Sequence, residues 1–135
     1  LSYGEGSAGL RIAALSGCDD MLYLNERGEV VETGLANILI ENRGNFLTPR
    51  LESGCLPGIV RSVLLDWFKE VREEALTISD LKGASGLYVI SSLREIELVN
   101  ELHYGEGKVQ KFQITAEAEK LRADYLINSR SMPNS

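Results

Sequence analysis

Histidine occurs once in the 135 residues, as His103, and cysteine twice, as Cys18 and Cys55. Residues so few and so widely spaced offer no ligand-like pattern, so a Cys/His metal centre is excluded and no metal is expected. Two thiols do not make a disulfide scaffold either; they read as reduced and partly buried in a cytoplasmic protein. Lysine and arginine form no cluster, and 14 of them against 20 acidic residues give a formal charge of −6. A nucleic-acid partner would need a basic face to displace counterions, so none is expected. No apolar run approaches the roughly 18 residues of a membrane-spanning helix, so no membrane partner is expected. Proline is scarce, with 3 residues, and no linker, repeat or low-complexity stretch divides the chain.

What is present suits one globular domain: 44% of residues are hydrophobic and 25% charged, enough to bury a core without staples. The chain begins with Leu1, and residues 1–9 have neither the basic start nor the apolar stretch of a secretory signal. The expectation is that a segment upstream is missing.

Good helix formers in Leu10–Leu15, followed by Gly17, predict a helix over 7–16. Residues 21–24, the turn Asn25-Glu26-Arg27-Gly28 and residues 29–32 predict a hairpin. Residues 36–41, Asn42-Arg43-Gly44 and 45–48 repeat it, so the first half reads as an antiparallel meander of four short strands. From Gly58 the period changes. Ile59, Val60, Val63, Leu64, Trp67, Phe68 and Val71 recur every three or four residues between Arg61, Asp66, Lys69 and Glu70, the pattern of an amphipathic helix. Ser79-Asp80-Leu81 opens a single helical turn. Residues 86–91, 96–99 and 101–104 read as strands, and 115–127 as a closing helix with Ala118, Leu121 and Tyr125 on one face. The reading is one α+β domain over 1–127, an antiparallel meander and mixed strands packed with helices, with a frayed tail at 128–135.

Four places carry residues suited to chemistry. Gly4-Glu5-Gly6-Ser7-Ala8-Gly9 fits the letters of the dinucleotide fingerprint, but only Leu1-Ser2-Tyr3 precedes it, too little for the strand that must feed such a loop. The join Ser53-Gly-Cys-Leu-Pro-Gly-Ile-Val-Arg61 runs directly into the strong helix and presents unpaired N–H groups at its positive end, where a phosphate is readily held. As a lone feature it is only what many helices show. Glu32 and Asn37 lie between the two hairpins, where a carboxylate at a strand end can project inward. Ser91-Ser92 follows an apolar strand, where hydroxyl and N–H groups could receive an oxyanion; by itself such a pair is a turn.

In order, spacing and residue type these segments together resemble the class IV aminotransferase family, pyridoxal-phosphate enzymes that include branched-chain and D-amino-acid aminotransferases and aminodeoxychorismate lyase. The pattern is a hairpin with E-x-x-x-x-N, here Glu32 and Asn37; a strand ending in Thr48-Pro49; then L-x-G-[IV]-x-R, here Leu56-Pro57-Gly58-Ile59-Val60-Arg61. The segment from Ser91 to Val99 is similar to the family's second phosphate-binding turn and following strand. The resemblance runs from Leu1 to about Val99. It implies the C-terminal domain of the D-amino-acid aminotransferase-like fold and pyridoxal 5′-phosphate as cofactor.

It also implies roles. Glu32 would hydrogen-bond the pyridine nitrogen and keep it protonated. Ile59 and Val60 would offer backbone N–H groups to the phosphate beside Gly58, with Ser91 and Ser92 completing the cradle. Leu56 would pack on the ring, and Asn37 would shape the loop behind it. The Schiff-base lysine would stand two positions ahead of Leu1, outside the chain, because Lys69, Lys82, Lys108, Lys111 and Lys120 fall in segments that do not match. Val60 stands where relatives often have Thr, which removes a hydroxyl but not the N–H. The implied protein is a cytoplasmic homodimer acting on a small amino-acid or amino-chorismate substrate as transaminase or lyase, with Cys55-Leu-Pro-Gly and the Ser-Ser-x-Arg-Glu segment leaning toward the lyase. The alternative is a noncatalytic binding or structural domain that retains the fold without Schiff-base chemistry.

Overall fold

The computed structural model describes residues 8–17 and 19–130. Among the described residues nine strands and three α-helices follow one another as β1 (Ala8–Ala14), β2 (Asp19–Leu24), β3 (Val30–Thr33), β4 (Asn37–Asn42), β5 (Asn45–Pro49), α1 (Ile59–Trp67), β6 (Val71–Glu74), α2 (Ile78–Lys82), β7 (Gly86–Ser91), β8 (Glu95–Gly105), β9 (Lys108–Lys111) and α3 (Ala116–Arg130). The strands make one sheet in the order β3-β2-β1-β8-β7-β4-β5-β6, with β9 beside β8. Every named strand pair is antiparallel except β5 and β6, which run parallel across the helix α1 that joins them. This is an α+β fold, as the sequence predicts.

The sheet curls on itself. The Val30 N–H donates to the Leu76 carbonyl at 2.6 Å, and Glu29 forms an antiparallel bridge with Thr77. The start of edge strand β3 is thereby fastened to the chain just beyond β6, the strand at the opposite edge. β4 and β7 pair near the middle, and Ile38, Leu39, Ile40, Leu87, Tyr88, Val89 and Ile90 on them are no more than 1% exposed. α1 covers part of this core with Val60 and Leu64, and Ala118, Leu121 and Tyr125 of α3 are buried on the face that the periodicity predicts. No helix among the described residues is long and apolar enough to cross a membrane.

Both predicted hairpins form: β2 pairs β3 and β4 pairs β5. They are not one meander, because β1, β8 and β7 lie between them in the sheet. The predicted helix over 7–16 is the strand β1. Ile12 and Ala14 are buried and Arg11 and Leu15 exposed, a two-residue period, and ladders to β2 and β8 on both sides outweigh the helix propensity of Leu and Ala. The two strands predicted at 96–99 and 101–104 are the single strand β8. Its first part pairs with β7, and from Val99 onward it pairs with β1. α1 stops at Trp67, so that Val71 opens β6 instead of closing the helix. The short strand β9 gives no apolar alternation to read, since Lys108, Val109 and Lys111 are all exposed. α3 continues through Arg130, which places residues 128–130 of the predicted tail in the helix; 131–135 lie outside the described residues.

Candidate functional site

β3 carries Glu32 inward: all of Val30–Thr33 is buried and Glu32 is 6% exposed. After Thr33 the chain reverses through Gly34, Leu35 and Ala36. The Thr33 hydroxyl oxygen accepts the Ala36 N–H at 2.8 Å and the Leu35 N–H at 3.2 Å, which holds the reversal tight. β4 then begins at Asn37, which is 8% exposed. The register sets Asn37 opposite Ile90, so Ser91 and Ser92, at the end of β7, come beside the Glu32–Asn37 loop.

The third component arrives from β5. After Pro49 a 3-10 turn (Leu51–Ser53) ends in Gly54, whose φ of 114° is the left-handed conformation that glycine adopts without strain. Cys55 follows and is buried. Leu56 then meets both hairpin residues: its N–H donates to Glu32 Oε1 at 2.8 Å, and its carbonyl accepts Asn37 Nδ2 at 2.9 Å. The Gly58 N–H also turns back onto that carbonyl at 2.9 Å. Gly58 is the N-cap of α1 and supplies no side-chain cap. The first-turn N–H groups of Ile59 and Val60 therefore have no intrahelical partner and lie at the positive end of the helix dipole.

Gly58 sits in ordinary extended backbone, φ −63° and ψ 152°, so conformation does not require glycine there. Space does: a Cβ would stand 2.2 Å from Asn37 Oδ1.

These segments enclose a cavity of about 360 Å³, within the usual range for small-molecule sites. All eight residues singled out in the sequence line it: Glu32, Asn37, Leu56, Gly58, Ile59, Val60, Ser91 and Ser92. Ile90 and the loop from Thr33 to Ala36 complete the wall. Sequence reasoning passed over these, although the loop residues stand between Glu32 and Asn37 and could have been found by that adjacency alone. Leu35, Leu56 and Ile59 are 70%, 56% and 72% exposed, an apolar surround to a polar interior. The Ser91 hydroxyl accepts the Arg94 N–H at 3.0 Å, which closes the turn after β7.

Arg61, the last residue of the Leu56–Arg61 motif, does not line the cavity. It is 3% exposed, donates to the Pro49 carbonyl at 3.1 Å and pairs with Glu73, tying α1 to β5 and β6. Cys55 is buried beneath the loop. Burial raises its thiol above the ordinary value against a lowering by the Arg61 charge, and the S–H points to the Pro49 carbonyl at 3.5 Å. None of the lysines lines the cavity. Residues 4–7 of the glycine-rich motif lie outside the described residues, and Gly9 belongs to a strand.

A buried carboxylate and a helix N-terminus facing one cavity suit a ligand with a cationic or hydrogen-bonding ring nitrogen at one end and a phosphate at the other. The apolar Leu56 side chain lies on the segment that joins the two.

The chain is similar to known proteins. The profile of the family described as Amino-transferase class IV matches residues 1–102. The "Putative branched-chain-amino-acid aminotransferase" of Methanocaldococcus jannaschii is 36% identical over 101 residues, covering 72% of this chain and 34% of the relative. The chain thus spans about a third of the length of the curated relatives it matches. Among solved structures, the "Putative 4-amino-4-deoxychorismate lyase" of Legionella pneumophila superposes with a TM-score of 0.70 at 29% identity, over 84% of this chain and 42% of that one. An aminotransferase from Brucella abortus, described as bound to the co-factor PLP, shares the fold with a TM-score of 0.68 at 22% identity, over 79% of this chain and 38% of its own.

Proposed function

From its place in the class IV aminotransferase family, to which this chain belongs, we propose that these residues form the cofactor-holding part of a pyridoxal 5′-phosphate enzyme, a transaminase or an aminodeoxychorismate lyase. The observation that carries the reading is the convergence of Glu32 and the α1 N-terminus on one cavity, joined through the Leu56 backbone. Support for the cofactor comes from the donor set and from the Brucella abortus aminotransferase of the same fold, which is described with PLP.

In this reading Glu32 sets its carboxylate against the pyridine nitrogen and holds a proton there. The Ile59 and Val60 N–H groups take the phosphate, with Ser91 and Ser92 on its far side. Leu56 covers one face of the ring and excludes water from it. When bound, the cofactor supplies an electron sink for the bond broken at the substrate's α-carbon. The chain's own residues bind, orient and keep the ring nitrogen charged. In this reading the lysine that the chemistry needs stands outside these 135 residues. The intact protein would be a cytoplasmic homodimer acting on an amino acid or amino-chorismate.

The test is cofactor loading of the full-length protein that contains this sequence. Uptake of pyridoxal 5′-phosphate with a visible absorption band that borohydride bleaches is the expected result. A full-length protein that takes up no cofactor from a saturating solution refutes the assignment and leaves a noncatalytic domain of the same fold.

A further inference from the structure

We propose that Asn37 is a positioning residue for the phosphate-binding amides, and that Gly58 is required because Asn37 occupies the space where a side chain would go. The inference rests on the cofactor reading above and specifies how the anion end of that site is held in place.

Four distances carry it. The Leu56 backbone is held at both its N–H and its carbonyl by the residues that flank the Thr33–Ala36 loop: Glu32 Oε1 on β3 accepts its N–H at 2.8 Å and Asn37 Nδ2 at the start of β4 donates to its carbonyl at 2.9 Å. That carbonyl also accepts the Gly58 N–H at 2.9 Å. Gly58 thereby satisfies its own donor before the helix begins, which leaves Ile59 and Val60 as the first amides free to meet an anion. On its other side Gly58 is packed against Asn37, with a Cβ position only 2.2 Å from Oδ1.

Asn37 therefore fixes the end of α1 twice, by a hydrogen bond to the residue two before the N-cap and by contact with the N-cap itself. The donor to the Leu56 carbonyl fixes Nδ2, and with it the orientation that turns Oδ1 toward Gly58. Its role is to place the amides, not to touch the ligand. Because Glu32 accepts the N–H of the same residue, Leu56 links the ring end of the cavity to the phosphate end.

The experiment compares pyridoxal 5′-phosphate with pyridoxal, which lacks the phosphate, by titration calorimetry on the full-length protein and on Asn37→Ala, Gly58→Ala and the double variant. Melting temperature reports folding in parallel. Asn37→Ala should weaken the phosphorylated ligand roughly five- to tenfold, about the worth of one hydrogen bond to a partly buried carbonyl, and leave pyridoxal within about twofold. Gly58→Ala should weaken it by more than that. In the double variant the methyl group at position 58 enters the space that Asn37 has vacated, so its loss should be smaller than the product of the two single losses.

Additive losses, or equal losses for the two ligands, would overturn the positioning role while leaving the cofactor assignment standing. If Gly58→Ala alone does not fold, refolding in the double variant supports the steric account, and continued misfolding overturns it. A wild-type protein with no preference for the phosphorylated ligand overturns both this inference and the function on which it rests.

Discussion

Replacing Glu32 by Gln keeps an oxygen that can accept the Leu56 N–H, whereas Glu32→Ala removes that acceptor along with the charge. On the proposed cofactor reading, the two variants therefore separate holding the loop from keeping the ring nitrogen protonated. Glu32→Gln should leave cofactor affinity within about threefold and lower kcat by about 100-fold or more, while Glu32→Ala should lose affinity as well. Calorimetry and steady-state kinetics on the full-length protein check this, and near-normal turnover in Glu32→Gln would remove the residue from its proposed role. Glu29, three residues earlier, behaves differently. Asn25 Nδ2 donates to it at 2.9 Å and Arg27 Nη2 at 2.9 Å. The Asn25 hydrogen bond foremost, working with Arg27 against an opposing push from burial, holds the carboxyl down to about 2 from its ordinary 4.5. Between these values the unfolded chain binds a proton that the folded chain does not, so this contribution to stability is present above about pH 5 and is lost as the pH falls through about 2. Urea unfolding at a series of pH values should show that fall, and Glu29→Gln should flatten it. The sequence displays the polar residues of both clusters but not their separate duties, because the partner of Glu32 lies 24 positions away, on Leu56.

Elements whose signal is local were legible and those defined by distant partners were not. The hairpins and α1 announce themselves through turn residues and a three-to-four period; the residues that line the cavity do not, since Glu32, the Leu56–Gly58 loop and Ser91-Ser92 each read locally as an ordinary strand end, loop or turn, and only the joint resemblance to the family singles them out. β1 was misread because its two-residue period is short and its residues favour helix; only the ladders to β2 and β8 decide the matter. Within the helices, Leu64 is 0% exposed in the core beneath α1, so Leu64→Ala should cost about 2–5 kcal/mol in denaturant titration. α3 is attached by a polar contact. The Thr115 hydroxyl meets both oxygens of the buried Glu41 carboxylate at 2.7 and 2.8 Å, and its oxygen accepts the Ala118 N–H at 3.0 Å. Tyr88 donates to the same carboxylate at 3.2 Å, and burial, chiefly, pushes its phenol up to about 12, so it remains a donor at neutral pH. Thr115→Val removes a cap and a donor to a buried charge, and should destabilise by about 1–3 kcal/mol by the same titration. A smaller change would show that Tyr88 satisfies Glu41 without help.

At the scale of the whole molecule the cavity exists because the sheet curls. β3 would otherwise be a bare edge, yet the Val30 N–H reaches the Leu76 carbonyl and Glu29 bridges to Thr77. The curl is thus fastened by contacts between stretches with almost fifty positions between them, which no local pattern discloses. Hydrogen exchange should find the Val30 amide as slow as those of β4, since releasing it requires opening the curl; rapid exchange would mean that the closure is a local fluctuation. A sheet margin normally exposes a row of unmet donors and acceptors that can template the growth of fibrils. Here the clasp between Val30 and Leu76 occupies part of that row, which leaves fewer open groups on β3 for a second chain to pair with.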